Sequence, residues 1–189
     1  MKKIVLFASG SGTNAENIIL YFNQKLTAKV VSVFCNNPNA KVLDRAKNLN
    51  VPTVVFSKEE LNNGFVLNKL EKYKPDLIVL AGFLWQFPAS IIEKYPNSII
   101  NIHPALLPKY GGKGMYGMKV HAAVLEKNEP ETGITIHYVN EHYDEGNIIF
   151  QQSVKIDDCK TPEEIAAKIH ELEHKHFPMV IEEILNLKS

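Results

Sequence analysis

Short apolar runs alternate with amphipathic segments through the first part of the chain, and that alternation sets the reading of the fold. Lys3 to Ala8 reads as a buried strand, Ser9-Gly10-Ser11-Gly12-Thr13-Asn14 as a loop, and Ala15 to Leu26 as a helix with Ile18, Ile19 and Phe22 along one stripe. Val30 to Cys35 is the next predicted strand, Asn36 to Asn39 a turn, and Ala40 to Leu49 a helix carrying Val42, Leu43 and Ala46 inwards. Val51 to Phe56 gives a third strand and Phe65 to Tyr73 a helix. Leu77 to Ala81 is a fourth strand, apolar throughout, as expected where both faces are covered. Strands that alternate with helices predict a parallel sheet.

The texture changes beyond the strand that carries Asn101. Ile99 and Ile100 lead into Asn101-Ile102-His103-Pro104-Ala105-Leu106-Leu107-Pro108, so a buried strand ends on two polar residues whose i,i+2 spacing aims both at one face. Pro104 and Pro108 take the chain stiffly out of the sheet there. Tyr110 to Gly117 is a glycine-rich loop before a helix from Met118 to Lys127. Thr132 to Val139 alternates as a strand, and Asn147 to Ile156 is expected beside it as an antiparallel neighbour. Thr161-Pro162-Glu163-Glu164 starts a helix that runs towards His174, and a last helix is expected after Pro178. The fold class is therefore α/β: a Rossmann-like, doubly wound, mostly parallel sheet with antiparallel strands in its C-terminal part.

Bulk properties narrow the partners. A length of 189 residues suits a single domain over 1–189. Lys and Arg together number 21 and Asp and Glu 21, so no general electrostatic attraction to nucleic acid or membrane is expected, and local sites must hold any anion. Cys35 and Cys159 stand apart without C-x-x-C spacing, which argues against a disulfide framework or a cysteine zinc site and suits a reducing cytoplasm. The first apolar run is too short for a signal segment or a membrane span.

Each motif also admits a plainer reading. Gly10-Ser11-Gly12-Thr13-Asn14-Ala15 fits G-x-G-x-x-G/A between strand and helix, but a dinucleotide site also wants an acid after the second strand, where Cys35-Asn36-Asn37 stands. What survives is a monophosphate at a helix N-terminus, with Thr13 and Asn14 adding side-chain donors. His170-Glu171-Leu172-Glu173-His174 matches H-E-x-x-H literally, yet no third ligand is in view, so no metal is expected, and the plainer reading is an exposed polar helix face. Asp144 alone would be a solvated turn residue. Beside His103 it would favour an imidazolium, and Asn101 would add an amide donor, the pairing an oxyanion needs as a carbonyl becomes tetrahedral. With no activated Ser or Cys, the attacking group is expected from a substrate, which points to acyl transfer between two small molecules.

Taken together, Ser9 to Asn14, Ala81-Gly82-Phe83, Asn101 to Pro108, the Asp144 loop and Glu173-His174 resemble the phosphoribosylglycinamide formyltransferase family over nearly the whole chain. The resemblance implies transfer of the formyl group of 10-formyltetrahydrofolate, a co-substrate, to the amine of 5-phosphoribosylglycinamide in purine biosynthesis. It implies Asn101, His103 and Asp144 as catalytic residues, the histidine donating a proton and the aspartate supporting its charged form. It places the phosphoribosylglycinamide on Gly12, Thr13, Asn14, His170 and Glu173. The folate is placed against Leu84, Trp85, Gln86 and Phe87, with Asn101, Asn140, Glu141 and Asp144 completing that side. Trp85 stands where the family often has arginine, the Tyr110 to Gly117 loop is longer than in many members, and Lys58 is left outside the site. A monomer or a homodimer fits. Competing readings are formyltetrahydrofolate hydrolase and methionyl-tRNA formyltransferase, both expected to be longer, and a non-catalytic folate- or nucleotide-binding module.

Overall fold

A computed structural model describes residues 1–187. The chain runs β1 (Lys2–Ala8), α1 (Thr13–Lys25), β2 (Ala28–Cys35), α2 (Lys41–Asn48), β3 (Thr53–Val55), α3 (Lys58–Asn62), α4 (Phe65–Tyr73), β4 (Leu77–Leu80), α5 (Ala89–Lys94) and β5 (Ile99–His103). It continues with α6 (Met118–Glu126), β6 (Glu131–Tyr138), β7 (Ile148–Lys155) and α7 (Pro162–Leu187). One sheet results, in the order β3-β2-β1-β4-β5-β6-β7. Pairing is parallel from β3 to β5 and antiparallel from β5 to β7.

The period-2 rule decides how β1 splits the core. Ile4, Leu6 and Ala8 face the layer built by α1, α2, α6 and α7, whereas Val5 and Phe7 face that of α3, α4 and α5. Phe7 is buried among Phe34 at 4.9 Å, Phe87 at 4.9 Å and Phe83 at 5.4 Å between ring centroids. That aromatic cluster supports the segment after β4 from beneath. β1 lies between β2 and β4, so the crossovers leave it in opposite directions and open a crevice at the carboxyl ends of β1 and β4.

Three local features differ from the reading of the sequence. α3 and α5 were not expected, because each has only one apolar residue fully inside, Leu61 and Ile91, and too few turns for a period to show. The expected break at Pro178 is absent, and α7 is one helix of 26 residues. Proline removes the N-H that would satisfy the carbonyl of His174, and Asn17 Nδ2 from α1 supplies that bond instead at 2.8 Å. With Phe177, Pro178 and Ile181 buried, packing carries the helix through the proline. Among the described residues no helix is long and apolar enough to cross a membrane.

Candidate active site

The crevice holds a cavity of about 650 Å³, and its lining comes from widely separated parts of the chain. Gly12, Thr13 and Asn14 form one end with His170 and Glu173. Leu84, Trp85, Gln86, Phe87 and Asn140 line the other, with Asn101, His103 and Asp144 between. Of the residues singled out from the sequence, Glu141 alone lies outside. It borders an adjoining cavity of about 560 Å³, and its carbonyl accepts a hydrogen bond from Gln86 Nε2. Lys58 also lines that second cavity.

The anion end is a matter of backbone. Gly12 is the N-cap of α1 at φ 75°, with no side-chain cap, so first-turn N-H groups are left to a ligand. Glycine is required there twice over, because a Cβ would fall 2.3 Å from Val42 Cγ2 and the conformation is left-handed. Ser9 ties this loop to the segment after β4: its N-H donates to the Gly82 carbonyl at 3.0 Å and its Oγ accepts from the Leu84 N-H at 3.1 Å. α7 closes the same end. Glu173, nearly buried, accepts from Asn14 Nδ2 at 2.8 Å, and His170 Nδ1 stands 3.3 Å from the same oxygen. That contact raises the His170 pKa although burial opposes it. Asn14 Oδ1 is buried without a partner.

The other reactive groups are buried or half-buried side chains joined by hydrogen bonds and ion pairs, several of them through backbone groups. Asn101 and His137 are direct partners across β5 and β6, as are His103 and Thr135, so all four side chains share a face. His137 Nδ1 lies 2.8 Å from the Tyr138 carbonyl and must carry the proton, since a carbonyl only accepts. Nε2 stands 3.1 Å from Asn101 Nδ2, which donates to it in the neutral ring, and 3.6 Å from Asp144 Oδ1, which it faces as an N-H in the protonated ring. In the neutral ring one hydrogen of that amide is used, which leaves the second for a ligand. Thr135 pins the exit from β5: its hydroxyl donates to the Ala105 carbonyl at 2.7 Å and accepts from the Leu107 N-H at 3.0 Å.

His103 follows the same logic. Nε2 stands 2.7 Å from the Tyr110 carbonyl and so bears the hydrogen, while Nδ1 faces Asp144 Oδ2 at 3.5 Å. A second proton would enter on Nδ1, against the carboxylate. Burial lowers the His103 pKa, with the Asp144 charge and the Tyr110 carbonyl pulling it up. For Asp144, burial would raise the carboxyl, but the contact with His137, the His103 charge and the Gly112 N-H at 2.9 Å hold it below the usual range. Gly111 makes that last approach possible, since a Cβ there would meet Leu107 at 2.5 Å. Tyr110 is itself anchored by its hydroxyl, which donates to Glu129 at 2.8 Å; burial and this bond push it up to about 12.

Several of these groups escaped the sequence. His137 lies in a strand that was recognised, at i+2 from Thr135, but only the β5 to β6 register puts it opposite Asn101. His121 on α6 also lines the cavity, buried, with Nδ1 unpartnered. The Tyr110 carbonyl and Gly112 N-H are backbone groups, invisible to any motif. At the end of β2 the Cys35 thiol donates to the Asn37 carbonyl at 3.2 Å, with no acid where a dinucleotide ribose would need one.

A bound anion, an acyl carbon beside Asn101 and His103, and an apolar wall would together suit group transfer between two small substrates. Comparison with known proteins bears on which group. The formyl transferase family matches residues 2–181. The phosphoribosylglycinamide formyltransferase of Bacillus subtilis is 36% identical, the alignment covering 100% of this chain and 97% of that protein. The chloroplastic phosphoribosylglycinamide formyltransferase of Arabidopsis thaliana is 38% identical over 95% of this chain, which spans 64% of that protein's length. The crystal structure of phosphoribosylglycinamide formyltransferase from Bacillus halodurans superposes with a TM-score of 0.89 at 32% identity, covering 100% of this chain and 97% of that one.

Proposed function

The chain belongs to the formyl transferase family, and from that premise we propose that it moves the formyl group of 10-formyltetrahydrofolate onto the amine of 5-phosphoribosylglycinamide. It is a transferase of purine biosynthesis. The observation that carries the reading is one cavity with an uncapped helix N-terminus at one end, the Asn101, His103 and Asp144 group at its middle and an apolar wall at the other.

In this reading the phosphate docks on the N-H groups after Gly12, with Thr13 and Asn14, and the ribosyl-glycinamide runs along His170 and Glu173. The folate ring lies between Leu84 to Phe87 and Asn140 to Asp144, with Glu141 reaching it from the adjoining cavity. The amine attacks the formyl carbon directly. The oxyanion that forms takes the free amide hydrogen of Asn101 and a hydrogen from His103, which must release the Tyr110 carbonyl to give it. Protonation at Nδ1, stabilised by Asp144, offsets the burial that keeps His103 neutral in the free site. As the tetrahedral carbon collapses, the C-N bond to the folate breaks and its nitrogen gains a proton while the former amine loses one. His103 supplies the first and Asp144 assists removal of the second. Cys35 and Cys159, both buried thiols, fit a reducing cytoplasm.

The test is formyl release from 10-formyltetrahydrofolate with and without phosphoribosylglycinamide. Turnover that requires the acceptor is expected. Deformylation without it would instead assign a hydrolase.

A further inference from the structure

Two α2 side chains behind the anion loop, neither lining the cavity, set its shape. Val42 donates its N-H to the Gly10 carbonyl at 3.2 Å and fills the space beside Gly12. One turn on, Arg45 Nε donates to the Ser11 carbonyl at 2.9 Å, and its Nη1 pairs with Glu16. Glu16 is the acidic residue in the first turn of α1, the turn whose N-H groups face the cavity.

A carboxylate there suits the helix dipole of an empty protein. It opposes a phosphate bound at the same turn, because two anions then compete for one positive end. The loop from Ser9 to Asn14 contains no lysine or arginine, and Lys113 is the only one among the residues lining the cavity. Arg45 is thus the cation that faces Glu16 in this structure, and its fork reaches the carboxylate and the loop backbone together. With the Ser11 carbonyl drawn towards α2, the N-H groups that follow are left turned to the cavity.

We propose that Arg45 is a positioning residue for the phosphate-bearing acceptor, acting by holding the Ser11 carbonyl and by neutralising Glu16. The proposal rests on the acceptor reading given above. Its test is steady-state kinetics with phosphoribosylglycinamide and 10-formyltetrahydrofolate. Arg45→Ala is expected to raise the acceptor KM about tenfold, with kcat and the donor KM changing by less than about twofold. Glu16→Gln in the Arg45→Ala background is expected to recover about threefold of that loss, which a purely structural defect would not allow. Should Arg45→Ala fail to fold, Arg45→Lys keeps the charge without the fork, and an acceptor KM raised about threefold is expected. An unchanged acceptor KM in the variant that folds, or no recovery on removing the Glu16 charge, overturns the proposal. Acceptor-independent turnover by the unmodified protein would fail the functional reading itself, a distinct result.

Discussion

The two reactive regions of the cavity are built by different means. At the anion end the donors are main-chain N-H groups, held by a glycine wedged against Val42 and by hydrogen bonds that the Gly10 and Ser11 carbonyls accept from α2. At the transfer end, Asn101, His103, His137 and Asp144 are buried or half-buried side chains held by one another's hydrogen bonds and charges and by backbone groups. The first region tolerates little change of shape, since backbone and a β-branched neighbour cannot yield. The second tolerates little change of chemistry, since each buried polar group removed leaves another unsatisfied.

The largest effect is expected from His103→Ala or Asn101→Ala, which should lower kcat by about 10²-fold or more while leaving acceptor binding nearly intact. Near-normal turnover in both variants would end the division between the two regions, because the transfer end would then have no chemistry of its own.

Gly12→Ala comes next. Its left-handed backbone and the overlap with Val42 should cost about 1–3 kcal/mol of stability, read by urea unfolding, and should weaken the acceptor rather than the folate. A variant with unaltered stability and acceptor KM would mean that the loop is not set by packing.

A pH series separates the regions by charge. Burial lowers the His103 and His121 pKa values, so between the folded values and the unfolded value of about 6.5 the unfolded chain binds more protons. Their contribution is complete above about pH 6.5 and is lost as the pH falls through the folded values. His170, raised by Glu173, acts oppositely, its contribution being present below about pH 6.5 and lost as pH rises through its folded value. Thermal melts should therefore fall between pH 7 and 5, and His121→Gln should flatten that fall. An equally steep fall in the variant would remove His121 from the account.

The smallest effect is expected two residues before Gly12. Nothing lies within 4 Å of a Cβ on Gly10, whose backbone is not left-handed, so Gly10→Ala should stay within about 0.5 kcal/mol of the parent in unfolding. A loss as large as that of Gly12→Ala would show that the contrast between the two glycines is not steric.

Much of this molecule is legible in its residues. Apolar runs such as Leu77 to Leu80 and the stripe of Ile18, Ile19 and Phe22 predict the strands and helices because burial enforces a period of about 2 or 3.6. The glycine loop before α1 and the Asn101, His103 spacing are equally local, and a strand end projects i and i+2 to one side whatever surrounds it. Local pattern misleads at Pro178, where the missing N-H is compensated by Asn17, 161 positions earlier in the chain and on another helix.

Which separated groups meet depends on the fold alone. The β5 to β6 register sets His137 against Asn101, and the turn after Gly111 presents Gly112 to Asp144. The passage of α7 over α1 joins Glu173 to Asn14. Periodicity and backbone preference act over a few residues, so the elements and the kinds of group they carry follow from local sequence. The protonation and partners of those groups were decided by the fold, because burial and hydrogen bonding depend on what the rest of the chain brings alongside.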